Sequence, residues 1–329
     1  MSEVPPADGA PAPLPGHVGK KRWMVSVELV RRTASAVTPD PHANAPTTGP
    51  YAGHVFFDDS ITPVLRTDFD VDAYVRRGTE RLEVDMAALQ TEGPLAPTTR
   101  LALGVLQRLE GSAIAESRAM LATTTGNEAR ITAFLATWHV DRFWQARALR
   151  DVLEARGGPE PVDLPPPTPA QALRRLHVDQ VQPLLTPLWD VLAGEALAAG
   201  HMARMAIQEA SLQAMLGALA DLLDGEARRA VGTVIARHDA AVEFFTAEAR
   251  ARIARSRREA VTARAVLSLL SPLAGGHLVD PALRPALAVL GASVHHRASL
   301  RRARYEITRL LPGPDLPDLL LAALPRPGV

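Results

Sequence analysis

The sequence predicts an all-α protein built on four long helices, and three observations point there. Of 329 residues, 47% are hydrophobic but only 4% aromatic, and Ala and Leu abound while β-branched runs are scarce. Four long segments repeat apolar residues at alternating steps of three and four, the spacing of one helix face. Each of those stripes carries a polar interruption near its middle, where a lone charge is costly unless a partner meets it.

Composition removes several function classes. Lys+Arg and Asp+Glu each count 36, so the formal charge is +0, and no basic excess favours nucleic acid or an anionic membrane surface. The absence of Cys excludes disulfides, thiolate metal sites and Cys nucleophiles. The first 20 residues hold no apolar core of signal-peptide length. The run from Trp23 to Val30 is too short to span a bilayer and contains Glu28. A soluble, cytoplasmic protein without a membrane span is expected. No Gly-rich phosphate loop, Gly-x-Ser-x-Gly elbow or His-Glu-x-x-His helix occurs.

Taken in order, residues 1–62 form a Pro/Ala/Gly-rich and irregular N-terminal extension, in which WMVSVELV alternates like a short strand or docking arm. A helical domain covers 63–311 and a Pro-rich tail 312–329. FDVDAYVRRGTERL predicts a short helix capped by Asp70 or Asp72. Pro97 opens a helix to about Ala122, with Leu103, Leu106, Glu110, Ala113, Ser117 and Met120 in its stripe. A second runs from about Glu128 to Ala155 through Ile131, Leu135, Trp138, Arg142, Gln145, Leu149 and Val152, until Gly157-Gly158 stops it. The prolines of GGPEPVDLPPPTP make a semi-rigid crossover, and one or two short helices occupy 169–193.

The third long helix, Glu195 to Leu223, places Met202, Ala206, Glu209, Gln213, Leu216, Ala220 and Leu223 in one seam. After the Asp224-Gly225 turn, the fourth runs from about Glu226 to Val266, aligning Val231, Ile235, His238, Val242, Phe245 and Ala249, with Asp239 one residue round. Shorter helices follow from about Pro281 to Leu310. Trp138, Phe143, Trp144, Phe244 and Phe245 are expected in the core. Two Arg-rich clusters, at 250–258 and at 297–304 beside His295-His296, read as solvated helix faces.

The seam interruptions are therefore Glu110, Arg142 with Gln145, Glu209, and His238 with Asp239. All four lie near mid-helix and can meet at one level of a bundle. Such a level is where di-metal carboxylate bundles build their sites, from two Glu and two Glu-x-x-His pairs.

Specific stretches resemble one such family. FLATWHVDRFWQARALRDVLEARG is similar to the second bundle helix of acyl-ACP-desaturase-like, ferritin-fold di-iron proteins, where the line reads roughly W-x-x-E-E-x-x-H-G-x-A-L-R. HMARMAIQEASLQAML resembles their third helix, and IARHDAAVEFFTAEARARIA their fourth, roughly I-A-x-D-E-x-x-H. LQRLEGSAIAES is a weaker match to the first. The resemblance spans about Phe69 to Leu311. It implies a ferritin-like four-helix bundle with accessory helices, and a homodimer paired through a helix face.

Carried over by position, the family's ligand set is degenerate. The second-helix Glu and His fall on Arg142 and Gln145, and the fourth-helix pair on Asp239 and Val242. Glu209 keeps the third-helix carboxylate, and the first-helix ligand aligns at Gly111 beside Glu110. Arg cannot be deprotonated in a protein, and its five donors suit carboxylates from neighbouring helices. Arg142 is thus expected to stand where the metal would, pairing Glu209 and one of Glu110 or Asp239, with Gln145 completing the network.

The resulting expectation is a protein without a cofactor, acting as a non-catalytic binding or scaffold module. Its partner contacts would be made through the N-terminal arm or the basic faces, which the resemblance suggests could meet an acidic acyl carrier protein. Two alternatives stand beside it. One is an iron or manganese oxidase or desaturase-like enzyme with a displaced ligand set of Glu110, His139, Glu209, His238 and Asp239. The other is a binder of an apolar small molecule inside the bundle.

Overall fold

The computed structural model describes residues 65–156, 193–269 and 282–318, and all regular structure among them is helical. The candidate arm at 23–30, the crossover after Gly157, the short helices at 169–192 and the end of the Pro-rich tail lie outside these residues. Two short helices come first, α1 (Val71–Arg77) and α2 (Met86–Thr91). Asp70 caps α1 by accepting the Ala73 N–H, and Asp85 caps α2, which the sequence pattern did not reveal, by accepting from Ala87 and Ala88.

The stretch opened by Pro97 is two helices rather than one, α3 (Pro97–Gly111) and α4 (Ala113–Leu121). Ser112 explains the break. Its hydroxyl lies 2.8 Å from the Leu109 carbonyl and 3.1 Å from Glu116 Oε1 and shares its one proton between them, a local alternative to the helical ladder. After a 3₁₀ turn at Thr124–Asn127 comes α5 (Ala129–Arg156), close to the predicted limits. A second 3₁₀ turn, Gly194–Ala196, leads into α6 (Leu197–Ala220).

The predicted helix 226–266 is also divided, into α7 (Gly225–Arg255) and α8 (Arg257–Leu269). Ser256 between them is extended, and its Oγ accepts the Glu259 N–H at 3.2 Å. Ser256-Arg257-Arg258-Glu259 is the Ser-x-x-Glu pattern of a helix start, a signal present in the sequence and outweighed by the continuous apolar stripe. The chain then forms α9 (Leu283–Leu290) and α10 (Val294–Thr308).

Helix α6 is apolar on nearly every side and is packed by α7, α8, α10 and α3, as an all-round hydrophobic helix requires. Gly200 permits a close approach to α8. A Cβ there would lie 2.5 Å from Val266 Cγ2 of α8, so a larger residue would push the two helices apart. Helix α5 packs against α3, α4 and α7.

The apolar interior falls into two main clusters. One gathers Leu106, Leu109, Leu149, Leu212, Met215 and Val234. The other gathers Leu135, Trp138, Met202, Ala206, Phe244 and Phe245. In sequence the polar residues of each long helix fall between members of the two clusters: Arg142 between Trp138 and Leu149, Glu209 between Ala206 and Leu212, His238 between Val234 and Phe244. Phe143 departs from the expected core role, being 57% exposed, with half-buried Trp144 edge-on beside it. Its position on α5 turns it away from the stripe that Arg142 shares with Trp138.

Candidate functional site

Between the two clusters, α3, α5, α6 and α7 each contribute one ionisable side chain to a closed ring. Glu110, Arg142, Glu209 and His238 are at most 1% exposed. Arg142 Nη1 donates to Glu209 Oε1, and its Nε is in ion-pair contact with Glu110 Oε2 without the alignment of a hydrogen bond. From the opposite side, His238 Nδ1 meets Glu209 Oε2 at 3.1 Å and Nε2 meets Glu110 Oε1 at 2.9 Å. The third guanidinium nitrogen, Nη2, donates to the Leu109 carbonyl at 3.0 Å. That carbonyl also accepts from Ser112, so the break after α3 and the ring share one acceptor. The guanidinium also lies 5.5 Å from the centre of the Trp138 ring, a favourable cation–π distance.

The ring's charges follow from its hydrogen bonds. Both imidazole nitrogens face carboxylate oxygens, and only the imidazolium can donate from both. Burial pushes the His238 pKa down, but Glu110 and Glu209 overcome it and raise the value to about 9. Burial likewise pushes the Glu209 carboxyl up, and Arg142 and His238 hold it below the ordinary range. For Arg142, the loss of solvation is more than offset by Glu110 and Glu209, which strengthen its hold on the proton. Two carboxylates thus face two cations, and the layer is neutral.

The two sites proposed from sequence separate here. Glu110, not Asp239, is the second carboxylate on Arg142. Asp239 is exposed and accepts from Gln213 Nε2 at 2.6 Å, because one residue along a helix turns the side chain by about 100°. Gln145 is buried, but its Oε1 has no hydrogen-bond partner and it does not complete the ring. Val242 is half-buried one turn beyond His238. His139 bonds the Leu135 carbonyl at 2.8 Å and stays outside the cluster. Gly111 is exposed, so the inward residue at that helix end is Glu110. His238 is the member whose part in the charge balance was missed. Two carboxylates set against one guanidinium left a charge of −1 in the core, and that deficit was the available signal.

Further polar pairs lie close by in sequence. Glu116 accepts from Gln208 Nε2 at 2.7 and 2.8 Å and from Arg204 at 3.2 Å, all three residues buried. On the other side, buried Asp141 accepts from the Tyr74 hydroxyl at 3.2 Å and from Arg237 at 2.7 Å. Burial and the Asp141 carboxylate push the Tyr74 hydroxyl pKa well up.

The donor set does not suit a pair of metal ions. Every carboxylate oxygen of the ring already faces a cationic nitrogen, and both imidazole nitrogens are committed. A divalent ion would have to displace a guanidinium that cannot shed its charge. Chemically, the arrangement holds four helices in register and presents no free nucleophile or base.

Two surface depressions, of about 820 and 370 Å³, are lined by parts of α10 with the segment after it and by residues around α1 and α7 respectively. Neither is lined by a ring residue. The basic faces are largely consumed within the fold. Arg250 pairs with Glu306, Arg252 with Glu128 and Glu248, and Arg255 with Glu259, while Arg304 donates to the Pro317 carbonyl. Arg257, Arg301 and Arg302 remain exposed. Among the described residues no helix is long and apolar enough to cross a membrane. Comparison with protein-family models, curated proteins and solved structures returned no match.

Proposed function

We propose that this chain is a ferritin-like helical protein whose di-iron site has been replaced by an internal ion ring, and that it serves as a non-catalytic binding or scaffold module. The observation that carries the reading is the seat of Arg142, with its guanidinium between Glu110 and Glu209 of two other helices. In the resembling family that level would hold cations bridged by carboxylates. Here the bridging cations are the protein's own, Arg142 and the imidazolium of His238. They satisfy the same carboxylates without any open coordination position, so the layer keeps its structural role and loses a route to oxygen or redox chemistry. Partner contacts then fall to the surface and to the N-terminal extension.

Metal analysis tests this reading directly. The purified parent should carry far less than one equivalent of iron or manganese after loading. The variant Arg142→Glu with Gln145→His places three carboxylates and two imidazoles at the level of the ring and should gain metal. Two equivalents in the parent, lost on Glu209→Ala, would instead establish a di-metal enzyme with an unusual ligand set.

A further inference from the structure

Away from the ring, the 370 Å³ depression is lined by Arg77, Gly78, Glu80, Thr233, Ala236 and Arg237, a volume suited to a small ligand. Of its two guanidiniums, that of Arg237 is held in place before any ligand arrives. Arg237 is anchored through Nη1 to buried Asp141 at 2.7 Å, and its side chain remains 24% exposed. Arg77 lies 5.3 Å from the centre of the Tyr74 ring, and the Tyr74 hydroxyl is fixed by the same Asp141. Arg77 has no carboxylate partner among the described residues. One buried aspartate therefore anchors Arg237 and fixes the ring beside which Arg77 lies.

We propose that this depression binds a small oxyanion, a carboxylate or phosphate group, between Arg77 and Arg237. Two forked guanidiniums match the paired oxygens of such a group, and the pre-ordering of Arg237 lowers the entropy lost on binding. The Thr233 hydroxyl donates to the Arg229 carbonyl at 3.1 Å, and the Gly78 N–H donates to the Val75 carbonyl at 3.2 Å. The arginines thus supply the recognition. Glu80 at the lining opposes a high negative charge on the ligand. Occupancy would tie α1 to α7 across α5.

The test is titration calorimetry on the full chain with sodium phosphate and with sodium acetate, each against sodium chloride at matched ionic strength. One of the two oxyanions should bind where chloride does not, and the stronger identifies the ligand class. Arg77→Ala, at an exposed position, should weaken binding about tenfold, the loss of one charge-assisted contact. Glu80→Gln should tighten it. Arg76→Ala removes the same charge from a neighbouring exposed residue outside the lining and should behave as the parent. Equal losses in Arg76→Ala and Arg77→Ala, or no heat distinguishable from chloride, would overturn the site.

Discussion

The Arg142 ring and the network around Arg252 both enclose a fully buried arginine in carboxylates, and both are neutral. They differ in access to water. At Arg252 the partners are Glu248, fully buried, and Glu128, whose side chain is 27% exposed. Arg130, 21% exposed, adds the second cation, and Thr67 with the Phe69 carbonyl completes its bonds. Water and ions can reach that rim and compensate a missing charge. At Arg142 no member of the ring is reached by solvent, so any imbalance is borne by the protein alone. A sealed layer is less tolerant of a single loss than an open one of like composition, although its net contribution to stability can be small.

The largest expected effect follows directly. Arg142→Ala strands two buried carboxylates and should destabilise the fold by about 3–5 kcal/mol in equilibrium denaturation. Glu128→Gln, at the open network, should cost only about 1 kcal/mol. Equal costs would erase the distinction between sealed and open layers. Replacing all four ring members together by apolar residues of similar volume should cost far less than Arg142→Ala alone. That outcome would show that the penalty lies in the imbalance rather than in lost attraction.

Next in size is the pH dependence, which the two regions should not share. His238 has a folded pKa of about 9 against an ordinary value of 6.5. A raised folded pKa favours the protonated native state, so its contribution is complete below about pH 6.5 and is lost as pH rises through about 9. The loss should amount to roughly 3 kcal/mol across that window. Glu209 acts in the opposite sense, its lowered pKa stabilising the fold above about pH 4.5 and failing as pH falls further. Greatest stability from the ring is expected near pH 5–6. Denaturation at pH 6 and pH 9.5 checks this, and His238→Gln should abolish most of the alkaline loss.

Much of this layer is legible in the sequence. The α5 stripe from Ile131 to Val152 is buried throughout, because seven positions at regular helical spacing leave little freedom of phase. Glu209 and Arg142 were readable as partners because each was a lone charge in such a stripe. Helix ends were less visible. Ser112 and Ser256 interrupt stripes whose apolar period continues across them, and a periodic pattern does not register a local side-chain bond to the backbone. Phe143 is exposed despite its residue type, which says less about burial than its angular position does.

The finest distinction concerns neighbours on α7. His238 faces the ring and Asp239 faces solvent, one residue apart. Asp239→Asn keeps the acceptor that Gln213 Nε2 uses at 2.6 Å and removes only an exposed charge. It should change stability by less than about 0.5 kcal/mol and leave the alkaline transition of His238 where it is in the parent. A shift of that transition would mean that Asp239 is coupled electrically to the ring, and the boundary between sealed layer and surface would then have to be drawn one residue further out. An unchanged transition would place Asp239 outside the sealed layer of Glu110, Arg142, Glu209 and His238, four residues from four helices.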